Sequence, residues 1–411
     1  MHYRTVVCLD DLARETFWPA KEFIYDLVRL PVHLASGIDI AKSPRGNQRS
    51  NLREGFDAAT FLALVHGRRE PDWSLSYFGI PDAAADYLVR HLPANALVLS
   101  YEMPPWLRRV LDAAGVDWID LRVAPLRFGS DLYMGIATSA PAVHDALQPH
   151  SLREDEMLAE AGLLAAKLRY RLRYRDDALA MWGRTIYVGQ TGEDASLLHA
   201  PGRYLRVADV ADELRRYVGD QALLYKPHPY AGPHAEEELR SLQKILGYRP
   251  ALCHTDTYDL LAGDARVRLV GISSGALQEA GWFGQETCSL MRPLCEPAFG
   301  SAHDPQRHTL VASHTFLSEP LWADLLGAPR RARPLQLAVQ ANRLRELHNT
   351  WWSYSTTTIR DSIFYKELFE VHAGADRENV AACRQALGQA RDDIAALRRE
   401  IAELRALAAS S

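Results

Sequence analysis

The sequence predicts an α/β fold made of two strand–helix halves, joined by one long helix and followed by a coiled coil. Three observations carry that expectation. Short apolar runs at residues 5–9, 96–100, 118–122, 185–189, 222–225 and 267–272 alternate with longer segments of helical periodicity. Residues 151–174 read as a single helix, with Ser151 at its N-cap and Glu154 three positions on. Near the end of the chain, apolar residues recur every seventh position.

Composition narrows the function classes. A hydrophobic fraction of 47% with 24% charged residues is that of a globular protein. A net charge of -5 gives no basic face for nucleic acid, and the arginines at 169, 171, 173 and 175 read as a solvated helix face. Five scattered cysteines without a C-x-x-C pair point to a reducing compartment and away from structural zinc. No run approaches about 18 uninterrupted apolar residues, and no charged-then-apolar leader opens the chain. The expectation is a cytoplasmic protein, at most peripheral to the inner membrane, with no metal and no cofactor.

Residues 1–150 form the first half. A strand at 5–9 precedes a broken amphipathic segment at 12–30 and a polar loop at 41–53. The strand at 96–100, the helix at 105–114 stopped by Gly115 and the strand at 118–122 make a unit expected to lie in a parallel sheet, which residues 131–137 continue. A connecting helix occupies 151–180.

The second half, 181–334, repeats the pattern. Helices at 207–218, at 234–246 before Gly247, and from 276 follow the strands at 185–189, 222–225 and 267–272. Beyond Pro293 the chain reads as irregular up to Leu317. Residues 335–375 read as helices that cross back over both halves, with aromatic residues at Trp351, Trp352, Tyr354, Phe364, Tyr365 and Phe369. In 376–411, Val380, Leu387, Ile394 and Ile401 share one heptad position, and Cys383, Ala390, Leu397 and Leu404 another. β-Branched residues at most of the first positions, with Leu at the later second positions, favour a two-stranded parallel coil, for self-association or a partner.

Polar residues gather just after the strands, where open α/β sheets bind ligands. Lys226 and His228 alternate with Pro227 and Pro229, which end the strand and stiffen the backbone carrying a cation and an imidazole. The loop Gly189-Gln190-Thr191-Gly192-Glu193-Asp194-Ala195-Ser196 offers a nucleophile, base or helix cap in Asp194. Ser273, Ser274 and Gly275 open a helix whose free N–H groups suit an anion, with Glu279 placed for ribose hydroxyls or for the helix dipole. In the first half, Glu102 follows a strand in Ser100-Tyr-Glu-Met-Pro104, as an acid/base candidate or a plain turn carboxylate. No Walker or G-x-G-x-x-G loop is present.

Those three loops resemble ordered motifs of bacterial β-Kdo glycosyltransferases: the capsule-polysaccharide Kdo transferases and, more closely, the O-antigen-terminating enzymes of glycosyltransferase family 99. The resemblance covers about residues 185–285, and the first half only through Ser100–Pro104. Where capsule enzymes carry paired Asp residues, this chain has Glu193-Asp194. The resemblance implies a GT-B fold, two Rossmann-like domains facing a cleft, and transfer of Kdo from CMP-Kdo with retention to a polysaccharide acceptor that is lipid-linked or an oligosaccharide. It implies Asp194 as nucleophile, Glu102 as acid/base and His228 in the donor site. Gln190, Ser196, Lys226, Ser273, Ser274, Gly275 and Glu279 would complete donor binding. Two other readings stay open at this point: a transferase for another sugar nucleotide, and a non-catalytic scaffold recruited through its coiled coil.

Overall fold

The computed structural model describes residues 3–14, 19–44, 50–67, 71–172, 181–300 and 302–351. Residues Met1–Trp351 pack as one compact unit. The expected coiled coil, and the aromatic residues from Trp352 onward, lie outside the described residues.

The first sheet starts with β1 (Thr5–Cys8), β2 (Ala96–Tyr101), β3 (Trp118–Val123) and β4 (Tyr133–Thr138). β1, β2 and β3 are parallel neighbours, and every residue of β2 is buried, as a central parallel strand requires. Residues 131–137 do not continue that pattern: β4 runs antiparallel to β3. Only a short loop separates the two strands, whereas a parallel return needs a crossover of about a dozen residues or more. Trp106, Leu107 and Leu111 of helix Pro105–Ala113 pack with Phe61, Val98 and Trp118 to form the core beside β2. The amphipathic segment near the N-terminus is helical over Pro19–Ser36 and continues through Pro31.

The second sheet holds β5 (Thr185–Val188), then a small hairpin of β6 (Leu198–Ala200) and β7 (Arg203–Tyr204) apart from it, then β8 (Leu223–Lys226), β9 (Ala251–Leu252), β10 (Arg268–Gly271) and β11 (Glu286–Ser289). Its order is β11-β10-β5-β8-β9, and every pairing is parallel. Alternation sends Ile186, Val188 and Leu269 to one face and Tyr187, Leu223, Tyr225 and Val270 to the other. Helices cover both faces.

Three local expectations are corrected. Ser151 does not cap the long helix: its hydroxyl donates to the Gln148 carbonyl at 2.7 Å, and the helix runs Glu154–Leu172, with Glu156 accepting the Arg153 amide at 2.8 Å. The stretch after Pro293 is not irregular. It supplies β12 (Pro297–Ala298) and β13 (His308–Ala312), and β13 pairs antiparallel with β4, so the chain returns to the first sheet. Helix Glu319–Leu326 then packs on helix Pro19–Ser36. Residues 335–342 are not helical. The Leu335 amide donates to the Glu319 carboxylate at 2.9 Å, and its carbonyl accepts from the Glu319 amide at 2.8 Å, which holds this segment extended. Helix Arg343–Trp351 begins only where the buried Asp131 carboxylate accepts the Leu344 and Arg345 amides, each at 2.9 Å.

Candidate functional site

In the second sheet the chain starts at β5, builds outward through β8 and β9, and returns to the other side of β5 as β10 and β11. The loops leaving β5 and β10 therefore diverge at a topological switch point, where ligands bind in open α/β sheets. Gln190, Ser196 and Ser273 meet there. The Ser273 amide donates to Gln190 Oε1 at 2.7 Å, Gln190 Nε2 donates to Ser273 Oγ at 3.1 Å, and Ser273 Oγ donates to the Ser196 carbonyl at 2.8 Å. These polar atoms are spent on one another, so the trio ties the two loops together. Ser274 follows, partly exposed, at the N-cap of the short helix Gly275–Ala280 without a side-chain capping bond.

Asp194 is exposed and does cap: Oδ1 accepts the Ser196 amide at 2.7 Å at the head of the one-turn 3-10 helix Ala195–Leu197. One carboxylate oxygen is thus fixed by the backbone, and among the described residues the other has no hydrogen bond or ion pair. Asp194 acts electrostatically on His228. The Tyr230 amide donates to His228 Nδ1 at 3.1 Å, which leaves the ring proton on Nε2. Burial lowers the His228 pKa from its ordinary value and Asp194 pulls it partly back, so the imidazole is a neutral donor at neutral pH. Lys226 Nζ donates to the Thr255 carbonyl at 2.6 Å, and its remaining two protons stay available.

Gly189 is required beneath this loop. A Cβ at Gly189 would stand 2.5 Å from Glu238 Oε2 and 3.0 Å from the Tyr225 ring. Glu238 is buried and accepts from the hydroxyls of Tyr187 at 3.0 Å and Tyr225 at 2.7 Å. Burial raises its pKa against the opposing effect of the two phenols. The motif glycine makes room for this internal network.

Glu102 stands at the carboxyl end of β2 with φ of 56°, a left-handed conformation costly for a side chain other than glycine. Its neighbour Met103 is held from both ends. Asp120 Oδ1 accepts the Met103 amide at 2.8 Å, and Arg122 Nη2 donates to the Met103 carbonyl at 2.9 Å. Asp120 also receives Arg122 Nε at 2.9 Å and Arg108 Nη2 at 3.1 Å, with His308 Nε2 at 3.5 Å. Burial pushes the Asp120 carboxyl up, but Arg122, His308 and Arg108 outweigh it and hold it well below the usual range. The charged cluster fixes the conformation that the Glu102 backbone alone disfavours.

Gly275 and Glu279 serve the seam between the two sheets. A Cβ at Gly275 would lie 2.9 Å from Pro125 Cβ, so the glycine admits the β3–β4 loop and not only a ligand. Glu279 is buried at this seam, and its Oε1 accepts from the Tyr258 hydroxyl at 2.7 Å and from the Arg127 amide. Phe128 packs on Phe283 beside it. On the other flank, the Gly202 amide donates to the Ser74 carbonyl at 3.0 Å, and Trp73 meets Tyr204 edge to face. Sequence reasoning missed Asp120, Arg122, Arg127, Asp131, Arg345 and His348. One signal was present: opposite charges two apart in the otherwise apolar strand Trp118–Val123 share a face and must pair.

A surface hollow lined by Tyr3, Thr5, Gly37, Asn51 and Pro93 lies at the amino end of β1 and contains none of the candidate residues. Among the described residues no three His, Cys, Asp or Glu side chains gather as a metal site, and no helix is long and apolar enough to cross a membrane.

No family model matches this chain, and no curated protein matches it. Among solved structures, the chain is similar to Thermosulfurimonas dismutans KpsC, β-Kdo 2,7 transferase, at 16% identity and a TM-score of 0.31, covering 66% of this chain and 89% of that one. It is similar also to Thermosulfurimonas dismutans KpsC, β-Kdo 2,4 transferase, at 13% identity and a TM-score of 0.33, covering 70% and 79%. Likeness at this level carries no argument about the site.

Proposed function

We propose that this chain is a retaining glycosyltransferase that moves Kdo, a sugar acid, from CMP-Kdo to a polysaccharide acceptor of the O-antigen kind. The observation that carries this reading is the exposed Asp194 carboxylate acting electrostatically on His228 at the carboxyl edge of the second sheet. Asp194 is an exposed carboxylate with one oxygen pinned and the other unengaged, and His228 is a neutral Nε2–H donor within its electrostatic reach. The motif resemblance names the substrate class.

In the first step the Asp194 carboxylate attacks the anomeric carbon as its bond to the phosphate oxygen breaks, and CMP departs. His228 Nε2–H and the unused protons of Lys226 stabilise the leaving phosphate. In the second step the acceptor hydroxyl attacks the same carbon, Glu102 takes its proton, and the ester to Asp194 breaks. Two inversions give retention. With Ser273 and one Lys226 proton already committed to protein acceptors, the donor set suits one phosphate better than two. This favours a cytidylate over a nucleoside diphosphate sugar.

Thermal melting with CMP and with UDP tests the reading. A specific ligand at about 100 times its Kd stabilises the fold by about 2.7 kcal/mol. CMP should raise the melting temperature and UDP should not. A shift with UDP alone would assign another sugar nucleotide, and no shift with either would favour a non-catalytic scaffold.

A further inference from the structure

Arg127 lies in the loop between β3 and β4, and its main chain is gripped from both sides. The amide donates to Glu279 of the second half, and the carbonyl accepts from Arg345 Nη1 of the last described helix at 3.1 Å. The guanidinium carried on this fixed backbone feels the Glu279 carboxylate electrostatically but has no acceptor of its own. Among the described residues no hydrogen bond or ion pair reaches it, and Nη1 is buried without an acceptor. Of the neighbouring arginines, Arg122 pairs with Asp120, and Arg345 Nη2 donates to the Gly129 carbonyl at 3.0 Å. A guanidinium partly withdrawn from water with no partner is a cost, and a fold that pins such a residue calls for an explanation.

The surroundings call for an anion. Arg345 adds a second positive charge, while the Glu279 carboxylate already accepts from Tyr258 and the Arg127 amide. The His348 ring is held neutral by burial and then by Arg127, with its pKa lowered to about 3. Glu102 acts electrostatically on the same ring. The residue itself is only partly buried, so a ligand can reach it.

We infer that Arg127 binds an oxyanion of the donor and that, of the donor's two, it takes the carboxylate of the sugar acid. In a 2-ulosonic acid the carboxylate is bonded to the anomeric carbon itself. Its cation must therefore line the site, and the Arg127 loop does so: Pro125 abuts Gly275, next to Ser273 and Ser274, and the Arg127 amide donates to Glu279. The phosphate is left to Lys226 and His228. This inference rests on the reading of the site as a sugar-acid transferase.

Calorimetry on the wild type, Arg127→Gln and Arg127→Lys tests it, first with CMP and then with free 3-deoxy-octulosonic acid added to the CMP complex. Arg127→Gln should keep CMP affinity within about twofold and weaken the sugar acid about tenfold or more, and Arg127→Lys should recover part of that loss. With no ligand present, Arg127→Gln should melt at or above the wild-type temperature, because it removes a guanidinium nitrogen buried without an acceptor. Equal sugar-acid affinity in wild type and Arg127→Gln would overturn the inference. So would a loss confined to CMP, which would place the phosphate at Arg127, or a clear drop in melting temperature, which would reveal a structural partner. If the wild type bound neither ligand, the transferase reading would fall and this inference with it. Wild-type binding of both with an inert Arg127→Gln would remove only the role of Arg127.

Discussion

Asp120 and Arg122 form a buried ion pair that holds one residue, Met103, by its amide and its carbonyl. The pair sits two residues apart on one face of β3, directly beneath the left-handed turn at Glu102. Asp120→Asn keeps the shape and removes the charge, leaving Arg122 and Arg108 uncompensated. Breaking a buried pair from one side costs about 3–5 kcal/mol, so urea unfolding should show a loss of that order. Asp120→Asn with Arg122→Met should recover part of it. A single variant as stable as wild type would show that Met103 is held by other means.

Acid sensitivity follows from two buried histidines. Burial lowers the pKa of His348, to about 3, and that of His308. The unfolded chain takes up these protons near pH 6.5 while the folded one does not. Stability is fully present above that pH and is lost as the pH falls, by up to about 1.4 kcal/mol per pH unit for each histidine. Below about pH 4 the unfolded chain also takes a proton on Asp120, whose folded value is depressed, and this removes more. Denaturation followed from pH 7 to 4 should show this slope, and His348→Phe should reduce it by one proton. An unchanged slope in that variant would place the His348 ring in solvent.

Two glycines in one short segment should respond oppositely to alanine. At Gly275 the added methyl meets Pro125 Cβ at 2.9 Å and its carbonyl at 3.4 Å, while at Gly281 it meets nothing within 4 Å. Overpacking of this kind costs about 1–3 kcal/mol, so Gly275→Ala should lower the melting temperature by several degrees. Gly281→Ala should match or exceed wild type, because it restricts the unfolded chain. Equal melting of the two variants would mean that the seam is looser than this packing.

The strands were legible in the sequence because parallel strands buried on both faces leave continuous apolar runs, as at residues 96–100 and 223–225. The loops at 189–196, 226–228 and 273–275 were legible because Gly, Pro and Ser interrupt those runs. What could not be read was what spends each polar atom. Ser273 looks like a phosphate ligand until Gln190 is found across the switch point, and Gln190 is 83 positions away. Glu279 reads as a ribose ligand, and nothing in the sequence signals that Tyr258 and the Arg127 amide both donate to its Oε1. The return of β13 to the first sheet was hidden for a related reason. Its apolar run is brief, follows a segment rich in Pro and His, and pairs with β4 far back in the chain.

The role of Asp194 is the central claim, and intact-mass spectrometry tests it most directly. Asn is as good a helix cap as Asp, so Asp194→Asn should fold and bind CMP like the wild type. Incubated with CMP-Kdo and no acceptor, the wild type, or Glu102→Gln with its second step slowed, should gain the mass of one Kdo residue on the peptide that contains Asp194. Asp194→Asn should gain none and should lose transfer almost wholly. Near-normal turnover by Asp194→Asn, or an adduct on any other peptide, would contradict the account and leave Asp194 as the cap of a 3-10 helix.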